Sequence, residues 1–152
     1  MRKVLESYLG QCVRRAIRRE RPRVIAIAGS VGKSSTKTAI GIALGADDPT
    51  LRVLVSPKNF NNELGVPLTV FRCDMPGRSI VSWIRLIVRA TLTAVGLKRI
   101  GAQILVLEFG TDRPGDIAHL CSIAPPDVAV LTAISPEHTE YFKTVEDRKS
   151  VV

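Results

Sequence analysis

The segment Gly29-Ser-Val-Gly-Lys-Ser-Ser35 is where residue types and spacing point most directly to chemistry. Its glycines let the backbone turn tightly and aim successive N–H groups at phosphate oxygens. Lys33 adds a point charge suited to β- and γ-phosphates, and the Ser34 hydroxyl is a ligand for Mg2+. Gly29, Ser30, Val31, Gly32, Lys33, Ser34 and Ser35 are therefore the expected nucleotide-binding residues. The longer phosphate-loop pattern would need glycine at position 27, where Ile27 stands, so the match is to the shorter G-x-x-G-K-[ST].

Other candidates follow later apolar runs. Glu108 closes the run Gln103–Leu107, where an unpartnered carboxylate would be costly to bury. Beside a phosphate loop it suits Mg2+, directly or through water; the alternative is a salt-bridging or helix-capping acid. His138 lies past the next apolar run and could reach the metal or a transferring phosphate, or be an exposed loop histidine without a role. Asn61 and Asn62, in Lys58-Asn-Phe-Asn-Asn-Glu63, offer donors and acceptors to a polar, sugar- or peptide-bearing ligand. A solvated loop that uses Asn for its turns is the competing reading. His119, in a helical stretch, reads as structural, and Asp112 and Asp116 as turn and helix-start residues around Pro114-Gly115.

These residues need strands to deliver them and helices to support them. Arg23–Ala28, bounded by Pro22 and Gly29, has the short apolar composition of a strand buried on both faces. Further strands are expected at 51–55, 103–107 and 127–132. Helices are expected at 4–19, 33–44, 66–73, 79–97 and 116–123. Alternating strands and helices predict an α/β fold, a mostly parallel sheet with helices on both faces. In such sheets ligands gather at the carboxyl ends of the strands, where all the candidates above fall.

The chain has 152 residues, 45% of them hydrophobic, enough for one core without a staple. Cys12, Cys73 and Cys121 are scattered and odd in number, which argues for a reducing compartment and against a zinc cluster. The formal charge is +8, concentrated at the start: residues 1–23 carry eight Lys/Arg against Glu6 and Glu20. Residues 1–22 are expected to form a basic amphipathic helix without the continuous apolar stretch of a signal peptide, giving a cytoplasmic reading. A charge run is more often a solvated face than a nucleic-acid site, so no nucleic-acid partner is expected. The apolar stretch 79–97 carries Arg85 and Arg89 near its centre. Each arginine would cost about 2.5–3.5 kcal/mol at a bilayer midplane. A helix packed on the sheet with its arginines toward water avoids that cost. Weak contact with a membrane surface, through this helix or the basic one, is the alternative.

Several strings occur together in order: Ala28–Lys37, Asn61-Asn-Glu-Leu-Gly-Val-Pro-Leu-Thr69, Leu107–Ile117, Pro126-Asp-Val-Ala-Val130 and His138-Thr-Glu140. In order and spacing they resemble the central ATP-binding domain of the Mur ligase family. The Asn61–Thr69 string is most similar to the branch that adds D-alanyl-D-alanine to UDP-N-acetylmuramoyl-tripeptide. The resemblance implies a P-loop NTPase-like central domain over 23–152, incomplete at its carboxyl end. It also implies an ATP-dependent amide ligase of peptidoglycan precursor synthesis, working through an acyl phosphate. By that resemblance Lys33, Glu108 and His138 are catalytic, and Ser34, Glu108 and His138 organise Mg2+. ATP is bound at 29–35, and Asn61 and Asn62 face the UDP-sugar peptide. The family's carbamylated lysine has no equivalent assigned here: Val152 stands at the matching distance. A second chain supplying the rest of the ligase is one expectation; a non-catalytic or truncated nucleotide-binding module of the same fold is the alternative.

Overall fold

In a computed structural model, which describes residues 2–45, 50–57 and 60–133, the alternation of apolar runs resolves into four strands and five helices among those residues. The strands are β1 (Arg23–Ala28), β2 (Val53–Val55), β3 (Ile104–Glu108) and β4 (Val128–Leu131). The helices are α1 (Arg2–Glu20), α2 (Lys33–Ala43), α3 (Gly65–Val70), α4 (Ile80–Val95) and α5 (Asp116–Ile123). The sheet runs β2-β3-β1-β4 with every pairing parallel. The register sets Ile27 beside Glu108 and Ala28 beside Leu131, so the carboxyl ends of β1, β3 and β4 lie level.

The period-two alternation of a strand divides the core. Val24, Ala26, Leu105 and Leu107 belong to one buried cluster with Leu9 and Val13 of α1, Leu68 of α3 and Leu120 of α5. Ile27 and Val106 are buried outside that cluster, on the opposite face, where α2 packs on β1, β2 and β3. Glu108 is two residues beyond Val106 and so shares its side of the sheet, under α2. The segment expected as a basic amphipathic helix is embedded by its apolar stripe: Leu9, Val13 and Ala16 are fully buried. Its arginines do structural work. Arg19 donates to the carbonyls of Thr93 at 2.6 Å and Ala94 at 3.0 Å, satisfying the last turn of α4. Glu20 accepts from the N–H of Ile100 at 2.9 Å.

The apolar segment 79–97 departs from expectation. Instead of packing on the sheet, α4 lies against α1 and buries Leu86, Ala90 and Thr93. Residues of α1, α3 and α5 share the buried cluster of that sheet face, and Leu86 and Ala90 of α4 join it alongside α1. Among the described residues no helix is long and apolar enough to cross a membrane.

Candidate functional site

The site begins where β1 runs out. Gly29 adopts φ +134, and a Cβ there would collide with the Thr132 hydroxyl. Only glycine lets the chain turn this close to β4. Thr132 in turn donates its N–H to Ala28 at 2.9 Å, and Ser30 donates to the Ala133 carbonyl at 2.8 Å. Val31 and Ala133 form a short antiparallel bridge. The loop is thus pinned to the end of β4 before it enters α2 through Gly32, at φ 88. No side chain caps α2 and no acid lies in its first turn, so its N-terminal N–H groups and positive dipole end face outward for an anion. Lys33 curls back over the loop, its Nζ donating to the carbonyls of Gly29 at 2.7 Å and Ser30 at 2.9 Å. Ser35 follows on the exposed side of the first turn.

Beneath the loop the polar groups converge on Glu108. Ser34 Oγ donates to Glu108 Oε2 at 2.9 Å, and Lys37 Nζ reaches the same oxygen at 3.0 Å. The Lys37 and Glu108 side chains are only 4% and 5% exposed, so this is a buried ion pair. The Glu108 N–H donates to Ser56 Oγ at 3.2 Å, and Asn61 Nδ2 approaches Oε1 at 3.5 Å. Burial pushes the Glu108 carboxyl up, but the hydrogen bonds from Lys37 and Ser34 outweigh it and hold the group below its ordinary 4.5. The carboxylate is therefore charged at neutral pH, as a metal ligand must be.

Lys37 is the member of this cluster that sequence reasoning passed over. A lone lysine within a helix looks solvated, but its spacing carried a signal: Ser34 and Lys37 are three apart and share one helical face. Glu108 is thus brought to the loop and to Ser34, and it forms the salt bridge that was the alternative reading of this acid. The asparagines divide. Asn62 Oδ1 accepts from Leu64 N at 3.2 Å and Gly65 N at 2.9 Å, shaping the entry to α3, whereas the Asn61 amide turns to Glu108. Asp116 accepts from the N–H groups of Asp112 and Arg113 at 2.9 and 2.7 Å, forming the expected turn. His138 lies outside the described residues.

Two oxygen donors side by side, Ser34 Oγ and Glu108 Oε2, fit a hard cation such as Mg2+, which takes few protein ligands and fills its remaining positions with water and phosphate. Cys12, Cys73 and Cys121 are unpaired, and burial pushes each thiol up, so none is a ready thiolate nucleophile.

A family profile described as the Mur ligase middle domain matches residues 88–150. The UDP-N-acetylmuramoyl-tripeptide--D-alanyl-D-alanine ligase of Mycobacterium leprae is 33% identical over 123 residues, covering 81% of this chain and 18% of that protein. The ligase of the same name from Bacillus subtilis is 35% identical over 118 residues, covering 78% of this chain and 20% of that one. The chain therefore spans about a fifth of the length of these relatives. Among solved structures, MurF ligase from Thermotoga maritima in complex with ADP superposes with a TM-score of 0.68 at 33% identity, over 96% of this chain and 28% of that one. MurF from Acinetobacter baumannii gives 0.67 at 26% identity, over 94% and 26% of the two chains.

Proposed function

Because this chain belongs to the Mur ligase family, we propose that it forms the ATP-binding part of a ligase of peptidoglycan precursor synthesis. The ligase would join D-alanyl-D-alanine to a UDP-N-acetylmuramoyl-peptide in the cytoplasm, where ATP is supplied. The observation that carries the reading is Ser34 donating to Glu108 directly beneath the Gly29–Lys33 loop, at the carboxyl ends of β1 and β3.

In the proposed reaction a carboxylate oxygen of the UDP-sugar peptide takes the γ-phosphoryl group of ATP, and ADP leaves. The amine of the dipeptide then attacks the acyl carbon, inorganic phosphate departs, and the amine gives up a proton. For the first step the protein has mainly to position groups and neutralise charge. The loop 29–35 and the start of α2 bind the phosphates. Lys33 shifts its ammonium from the Gly29 and Ser30 carbonyls onto the γ-phosphate. Ser34 and Glu108 would hold Mg2+ with His138, and the ion, when bound, supplies charge neutralisation across the phosphates. Lys37 keeps Glu108 ionised and aimed. The Asn61 amide would face the UDP-sugar peptide while Asn62 holds the loop that presents it.

The test is to supply ATP, Mg2+, UDP-N-acetylmuramoyl-tripeptide and D-alanyl-D-alanine, reading the pentapeptide product by mass spectrometry and phosphate release in parallel. Product that disappears with Lys33→Ala supports the ligase. ATP binding without product, also when the remaining portion of a related ligase is supplied as a second chain, would instead favour a non-catalytic nucleotide-binding module of the same fold.

A further inference from the structure

The outward face of α4 has no role in the nucleotide site. Ile80, Ile84, Val88 and Val95 recur at helical spacing along one side, with Val81 beside them. They are 75%, 55%, 50%, 60% and, for Val81, 76% exposed. Soluble proteins rarely leave so continuous an aliphatic stripe in water. Arg85 and Arg89 run along one flank, and Arg78 precedes the helix. Between Asp74 and Glu108 there is no acidic residue, while Arg78, Arg85, Arg89, Lys98 and Arg99 carry five positive charges. No ion pair is formed by these five side chains among the described residues.

We propose that α4 docks the protein on an anionic lipid surface, with its aliphatic stripe entering the headgroup–acyl boundary and its arginines meeting lipid phosphates. Charge complementarity selects this occupant. A second copy of the chain would bring arginine against arginine, whereas an anionic bilayer satisfies the apolar stripe and the cationic flank together. The helix is 16 residues long and carries two arginines, so it lies in the interface without spanning it. Helix α1 braces it from behind, through Arg19 on its last turn and Tyr8 bonded to Thr91 at 2.7 Å. Near its first turn the half-buried Trp83 lines an apolar groove of about 1010 Å3 with Leu5, Tyr8, Leu64 and Met75. The proposal stands apart from the ligase reading.

Trp83 is the single tryptophan, so its fluorescence reports this helix alone. The chain is mixed with phosphatidylcholine vesicles, with and without about 30% phosphatidylglycerol, and followed by flotation and Trp83 emission. Flotation with the anionic vesicles only, a blue shift of Trp83, and loss of binding in high salt are expected. The double variants Ile84→Ser/Val88→Ser and Arg85→Ala/Arg89→Ala should each weaken partitioning by on the order of tenfold. Ile84, Arg85 and Val88 are exposed and Arg89 is half-buried, none of them among the buried residues of α4, so circular dichroism should show an unchanged fold. Three results would overturn the proposal: no flotation with anionic vesicles, flotation that Ile84→Ser/Val88→Ser leaves intact, or a dimer in sedimentation that the same variant abolishes.

Discussion

Replacing Lys37 with methionine leaves the Glu108 carboxylate buried without its cation. The two side chains meet at 3.0 Å and are almost entirely hidden from solvent. Ser34 and the distant Asn61 amide are then the side-chain donors that remain on the carboxylate. Removing one partner of such a pair costs about 3–5 kcal/mol. At roughly 2–4 °C per kcal/mol for a chain of this size, Lys37→Met should lower Tm by roughly 6–20 °C. Glu108→Gln should also destabilise, because it leaves the buried Lys37 ammonium without its counter-charge. The double variant Lys37→Met/Glu108→Gln removes both charges and should be more stable than the sum of the single losses implies, with a coupling of about 2 kcal/mol or more. The sign with pH follows from the depressed carboxyl. The stability that Glu108 contributes is fully present above its ordinary 4.5 and is lost as pH falls through its lower folded value. In Lys37→Met burial dominates and raises the carboxyl, so the deficit should be largest near neutrality and shrink in acid. Urea unfolding followed by circular dichroism, on the four proteins across that range, measures each quantity. A loss below about 1 kcal/mol for Lys37→Met, or strict additivity in the cycle, would refute the reasoning.

Other perturbations separate the loop from its supports. Gly29→Ala forces a Cβ onto the Thr132 hydroxyl at a left-handed φ; it should cost at least about 1–3 kcal/mol in urea unfolding and abolish ATP binding in a fluorescence titration. Glu108→Gln should weaken Mg2+-dependent ATP binding by about tenfold or more while sparing binding measured in chelator, read by equilibrium dialysis. Arg19→Ala removes two bonds to the last turn of α4; with this side chain 37% exposed, the loss in thermal unfolding should be about 1–2 kcal/mol.

The parts of this molecule legible in sequence were those where one residue type meets a local backbone demand. Gly29 and Gly32 announce the turn, the run Arg23–Ala28 its strand, and Glu108 the end of β3. What escaped depends on distant partners. The role of Lys37 becomes visible only once parallel pairing brings Glu108 beneath α2. Asn61 and Asn62 are the same residue type, and only the entry to α3 commits one of them to backbone N–H groups. For α4 the spacing revealed a helix but not its seat: that depends on α1, against which α4 packs with Ile80, Ile84 and Val88 left exposed.

Calorimetric titration of Mg·ATP into the chain, and into Lys33→Ala, tests the central claim most directly. Among the described residues Lys33 bonds only loop carbonyls, so its loss should spare the fold. The account predicts micromolar binding, at about −8 kcal/mol, weakened by at least about tenfold, 1.4 kcal/mol, in the variant. Absence of binding to a folded chain, or equal affinity in both proteins, would contradict a nucleotide site at Gly29–Ser35.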